Sequence, residues 1–104
     1  MVMERILRAL DSPRRRSILR LVWDRERSAG DIHRRLGDVT FGAVSQQLRV
    51  LAEAGLTEVR RDGRHRYYRA RRDELGTLAA WLEAQWDDSL ERLRGLAEDE
   101  EKAT

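Results

Sequence analysis

The chain contains no cysteine. Disulfide bridges and thiolate metal sites are therefore excluded, which fits a reducing compartment and leads us to expect a cytoplasmic protein. Long apolar runs are missing as well, and nothing approaches the roughly 20 residues that span a bilayer. The opening Met1-Val2-Met3-Glu4-Arg5 lacks the apolar core of a secretion signal. No glycine-rich, phosphate-cradling loop is present. Ser12, Ser17, Ser28, Ser45 and Ser89 have no nearby histidine-and-carboxylate set, so enzyme is the weakest reading.

What remains is a chain of 104 residues, room for one domain, with 40% apolar and 38% charged residues. That is enough for a small core under a heavily charged skin. The net charge of +2 hides an asymmetry. Residues 1–72 hold 18 Arg against 9 acidic residues, a balance of +9. Residues 73–104 hold 3 basic against 10 acidic residues, a balance of −7. A basic front with an acidic tail points to a polyanionic partner at the front. Nearly all the positive charge is arginine, which favours bidentate contacts to phosphate and guanine.

Val2, Ile6 and Leu10 recur every four residues and predict a short N-terminal helix. Ser12 can cap a second helix, with Pro13 at its first position, running to about Asp24. Arg14, Arg15 and Arg16 occupy its first turn, where the helix dipole disfavours cations. An anionic partner and a plain exposed arginine run both fit that placement. Ser28 with Asp31 forms a variant capping box for a third helix, anchored by Ile32 and Leu36. Gly37-Asp38-Val39 makes a turn, and Thr40 caps a fourth helix over 41–54. On it Val44, Leu48 and Leu51 face inward, and Gly55-Leu56 closes it.

Thr57–Arg61 and Arg64–Arg69 read as strands around Asp62-Gly63, a strong hairpin signal. Of Tyr67 and Tyr68, on opposite strand faces, one is expected in the core. From Arg72 to Ala97 no proline interrupts a helical pattern of about 26 residues, roughly 39 Å. Its stripe of Leu75, Leu82, Trp86, Leu90 and Leu93, with Leu78 beside it, needs a partner, most simply a second copy. The expectation is a mainly α fold with a small hairpin (α+β): a winged helix-turn-helix of about five helices and a two-stranded wing. One domain fills 1–97, and 98–104 reads as an acidic, frayed tail.

Helix, turn, helix and basic wing in that order form a DNA-reading module. The residues resemble the arsenic-repressor (ArsR-type) family of bacterial winged helix-turn-helix repressors. Three segments carry the resemblance: Ala9–Leu19, Val44–Leu51 followed by Glu53-Ala54-Gly55-Leu56, and Asp62–Tyr68. It implies a homodimer built through the N- and C-terminal helices, Ile6 among the contacts, and a repressor of an operator with two-fold symmetry. Family members that sense thiophilic metals carry a cysteine pair where Ser28 and Gly30 stand here. A second family site uses carboxylates and histidine on the C-terminal helix, which offers Glu83, Asp87, Asp88 and Glu91 but no histidine. No metal or other cofactor is therefore expected, and an organic ligand or a partner protein stays open as effector.

The second helix of such a motif enters the major groove by its N-terminal part. Thr40, Ala43, Ser45, Gln46, Gln47 and Arg49 are the candidates there. Glutamine can pair with adenine and arginine with guanine. Which of Gln46 and Gln47 reaches a base depends on a helix rotation that the sequence leaves open. Arg61, Arg64, His65 and Arg66 of the wing are the candidates for phosphate or minor-groove contact. Double-stranded DNA is thus the expected partner. A winged-helix protein-interaction module and a nonspecific DNA-coating protein are the competing readings.

Overall fold

The computed structural model describes residues 2–87. Leu90, Leu93, the carboxylates Asp88 and Glu91, and the tail 98–104 lie outside the described residues. The elements in order are α1 (Val2–Leu10), α2 (Pro13–Leu21), β1 (Arg27–Ser28), α3 (Ala29–Leu36) and α4 (Phe41–Glu53). There follow β2 (Thr57–Asp62), β3 (His65–Ala70) and α5 (Arg72–Leu75). Residues 77–87 are helical again, and we label them α6.

Local capping chemistry sets the helix starts. Ser12 Oγ accepts from the Arg15 amide at 3.3 Å, and Pro13 opens α2 without a wasted donor. Ser28 Oγ accepts from the Asp31 amide at 3.1 Å, and Thr40 Oγ1 from the Ala43 amide at 3.1 Å. The box at Ser28 is only half formed, because the Asp31 carboxylate takes Arg27 and Arg35, each at 3.0 Å. At the end of α4 the Leu56 amide bonds the Leu51 carbonyl and the Gly55 amide bonds the Ala52 carbonyl, each at 3.0 Å. This is a Schellman closure, with Gly55 at φ +78° in the left-handed region.

Four boundaries differ from the sequence expectation. Helix α2 stops at Leu21, and the Val22 carbonyl instead receives the Ala70 amide at 2.9 Å. The sheet has a third strand, β1, whose Arg27 and Ser28 pair with Tyr68 and Tyr67. Two residues are too few for alternation to show in a sequence. The hairpin is closed by Gly63-Arg64 rather than Asp62-Gly63, since Asp62 pairs directly with His65. Gly63 sits at φ +60° and Arg64 has no positive φ, the pattern of a II′ turn with glycine first. Finally, the long C-terminal helix is broken: Gly76, at φ +55°, separates α5 from α6.

The core joins every layer. Ile18 and Leu19 of α2, Ile32 of α3, and Val44, Leu48 and Leu51 of α4 are fully or almost fully buried. Leu56, Tyr68, Leu75 and Leu82 close it from the wing and the C-terminal helices. Each such aliphatic side chain contributes about 1.5–3 kcal/mol by leaving water. Helix α6 docks through Trp23: its indole N–H donates to Glu83 Oε1 at 2.9 Å, and its ring meets Trp86 edge-on at 5.0 Å. No helix among the described residues is long and apolar enough to cross a membrane.

A Cβ placed on Gly55 would meet nothing within 4 Å, so only backbone conformation opposes a side chain there. Gly55→Ala is expected to lower the unfolding free energy by about 1–2 kcal/mol. A urea titration checks this, with the midpoint falling and the slope unchanged.

Candidate nucleic-acid interface

Helix α4 sets its own orientation. With Val44, Leu48 and Leu51 inward, the helical period turns Gly42, Gln46, Arg49 and Glu53 to the opposite side, where all four are exposed. Ser45 is half-buried on the flank that looks toward the wing. Thr40 and Ala43 are exposed at the helix start, with the threonine oxygen engaged by the Ala43 amide. Gln47 lies on the other flank, half-buried, and its Oε1 accepts from Arg15 Nη1 at 2.9 Å.

The hairpin register decides where the wing arginines point. Thr57↔Ala70, Val59↔Tyr68 and Arg61↔Arg66 are cross-strand pairs on one face. Thr57, Tyr68 and Ala70 are buried against the helices, so Arg61 and Arg66 extend from that same helix-facing side nearer the tip. Between α4 and this face lies an open groove of about 660 Å³, bordered by Ser45, Arg49, Val59, Arg61, Arg64, His65 and Arg66. Six of the ten candidate DNA-binding residues thus border one groove; Thr40, Ala43, Gln46 and Gln47 do not.

Charge pairing separates the arginines into two groups. Arg27, Arg34 and Arg35 gather on Asp31, Arg71 pairs with Glu74, and Arg72 reaches Asp24 at 3.4 Å. Arg15 and Arg16 turn back onto carbonyls of α1, from Arg8, Ala9 and Leu10. The anionic partner hinted at by the arginine run in α2 is therefore, for these two, the negative end of α1. Arg14 is drawn instead to Asp38, at 3.5 Å. By contrast the side chains of Arg49, Arg61, Arg64 and Arg66 along the groove, like those of Arg5, Arg20, Arg25 and Arg69 elsewhere, make no ion pair or hydrogen bond among the described residues.

Sequence reasoning missed Arg60 as a structural residue. Its guanidinium forks onto Glu26, Nε to Oε2 at 3.0 Å and Nη2 to Oε1 at 2.7 Å, while stacking 4.5 Å from the Tyr67 ring centre. The cross-strand pairing of Arg60 with Tyr67 follows from the hairpin register, but nothing local marks Glu26 as partner. The clamp ties the wing to the segment before β1. Of the positions considered for metals, Ser28 Oγ caps α3 and Glu83 receives the Trp23 indole. Among the described residues no group of three or more His, Cys, Asp or Glu could hold a metal ion.

A family model described as a helix-turn-helix domain matches residues 5–60, more than half of the chain. Solved structures similar to the chain include two that are 31% identical to it. One is the homodimeric winged helix-turn-helix DNA-binding domain of a possible ArsR-family transcriptional regulator from Mycobacterium bovis, covering 84% of this chain and 80% of that one, with TM-score 0.72. The other is an ArsR-like transcriptional regulator from a Rhodococcus species, covering 92% of each chain with TM-score 0.67. The chain belongs to the ArsR family of winged helix-turn-helix transcriptional regulators. HlyU from Vibrio cholerae is a further neighbour of this ArsR-family chain: 27% identity, 82% and 91% coverage, TM-score 0.73. No protein of curated function matches it significantly.

The Arg60 guanidinium holds the Glu26 carboxyl below the usual carboxylate range, against an opposing effect of burial. A carboxyl lowered in the folded state stabilises at neutral pH, and that contribution disappears as pH falls through the folded value. The clamp should therefore weaken below the ordinary glutamate range, about pH 4. Glu26→Gln is expected to speed amide hydrogen exchange in β2 and β3 at neutral pH. The same variant should lose part of the fall in protection, measured against the intrinsic exchange rate at each pH, that the unmodified protein shows on acidification.

Proposed function

We propose that the chain is a homodimeric, sequence-specific repressor that binds a two-fold operator in the bacterial cytoplasm. The observation that carries DNA binding is the groove between α4 and the wing, bordered by four arginines whose side chains have no partner among the described residues. An unpaired guanidinium beside an exposed recognition helix suits phosphate, and it costs no existing ion pair to engage one. Arg61, Arg64 and Arg66, with His65, position the wing on the backbone. Base reading falls to the start and outer face of α4, where Thr40, Ala43, Ser45, Gln46 and Arg49 are accessible beside Gln47.

Dimerisation rests on apolar surface left over from the core. Met3 and Leu7 on α1 and Trp81 on α6 are each about half exposed, at 54%, 53% and 48%. Leu78 and Trp86 of α6 are partly buried against the core. Ile6, Leu75 and Leu82 are buried inside the single chain, so they support this surface from beneath. The homodimeric state of the Mycobacterium bovis relative favours the same assembly. Repression itself comes from the family resemblance.

Selection from fragmented genomic DNA at near-physiological salt should enrich a two-fold-symmetric site with half-sites about one helical turn apart. Retention of DNA without a shared motif would instead favour the coating or protein-interaction readings. On the enriched site, Arg64→Ala is expected to weaken specific and random DNA alike and to reduce the salt dependence of binding. Gln46→Ala is expected to change the preferred base at one position.

A further inference from the structure

Gln46 and Gln47 are adjacent and chemically identical, yet their surroundings differ. Gln46 is exposed. Gln47 is tied to Arg15, a half-buried residue of α2 that makes three hydrogen bonds in three directions. Its Nε donates to the Ala9 carbonyl at 2.7 Å and its Nη2 to the Arg8 carbonyl at 3.0 Å, both in the last turn of α1. Its Nη1 donates to Gln47 Oε1 at 2.9 Å, on α4. One side chain on α2 therefore joins the end of α1 to the recognition helix.

α1 and α4 share the hydrophobic core through Ile6 and Ala9 on one side and Val44, Leu48 and Leu51 on the other, but at this outer corner they do not close on each other. An open cleft of about 500 Å³ lies beside the bridge, with Ala9 of α1 on one wall and Val50 and Ala54 of α4 on the other. We propose that Arg15 is a positioning residue for DNA recognition, latching α4 to the end of α1 through Gln47, and that Gln47 serves this latch while Gln46 reads bases. The inference rests on the DNA-binding reading above. Pairing with adenine needs the amide oxygen and nitrogen of glutamine turned to the base together. An amide whose oxygen is turned to Arg15 does not present that edge. The planar guanidinium also has donors enough, at fixed angles, to reach all three acceptors, which a lysine ammonium on the same stem does not reproduce.

The test uses the full chain with the Arg15→Lys, Gln47→Ala, double and Gln46→Ala variants. Affinity is measured for the selected site, each of its single-base variants and random duplex. Arg15→Lys and Gln47→Ala should each weaken the selected site about tenfold and leave the ranking of bases unchanged at every position. The double variant should show about the same tenfold loss, because both changes open one latch. Gln46→Ala alone should alter the ranking. Losses that multiply in the double variant overturn the latch, as does a changed base preference in Gln47→Ala that Arg15→Lys does not share. A measurement without DNA separates this inference from the functional reading. Nitrogen-15 relaxation of the Gln47 side-chain amide should report restricted motion, released in Arg15→Lys while the other amide signals keep their positions. A Gln47 amide as mobile as that of Gln46 in the unmodified protein overturns the latch whatever the DNA results. A protein without any preferred site overturns the sequence-specific reading, and the relaxation data then decide the latch alone.

Discussion

The burial of Val44, Leu48 and Leu51 is the constraint on which the rest of the molecule depends. A helix has one rotation about its axis, and three inward side chains at spacings of four and three set which face it turns outward. Every outward position of α4 follows from that choice, including the exposure of Gln46 and Arg49 and the sideways placement of Ser45 and Gln47. The closure at Gly55 then fixes where the chain leaves the helix. Leu56 and Thr57 are buried immediately afterwards, so β2 starts from the core and runs outward. Helix and wing are in this way set relative to each other by consecutive residues.

Arginine does two different jobs in this ArsR-family chain, and neighbouring groups decide which. Where a carboxylate or a helix end lies within reach, the guanidinium is absorbed into the scaffold, as with Arg27 and Arg35 on Asp31 or Arg60 on Glu26. Where none does, the charge stays available to solvent, as along the groove. Exposed pairs such as Arg8 with Glu4 add little stability. The forked, stacked pairing of Arg60 differs in geometry, since two parallel hydrogen bonds and a ring face restrict the side chain together. Arginine content alone therefore overstates the electrostatic footprint, which is a smaller set of residues than the composition implies.

What was legible in the sequence was local. Ser12, Ser28 and Thr40 cap helices within three residues of themselves, and Gly55-Leu56 closes one over six, so each signal sits inside a short window. The stripe of α4 and a hairpin with one of its two tyrosines inward were readable for the same reason, though that it is Tyr68 was not. Gly76 was passed over because the apolar spacing continues across it, while the backbone does not. The contacts that fasten the pieces together join residues far apart in sequence and left no trace in periodicity. Trp23 meets Glu83, Glu26 meets Arg60, and Arg15 meets Gln47. For the site, the groove-lining positions were identifiable from charge and register. The different surroundings of the two glutamines required the packing of α1, α2 and α4 to be seen.

The strand order β1-β3-β2 puts the central position on β3 and leaves β2 as an edge. β1 covers only Tyr67 and Tyr68 on the far side of β3, so the outer part of the hairpin has open backbone on both margins. An open margin of this kind is a template for another chain to add a strand, the first step towards aggregation. Here four of the six residues of β2 are charged, Glu58, Arg60, Arg61 and Asp62, with both signs along the margin. A second copy of the same strand brought alongside in parallel and in register would set each of those charges against its like. The residues that make the wing basic and exposed therefore also guard it against self-association through the sheet, at concentrations where a neutral hairpin of this shape would begin to stack.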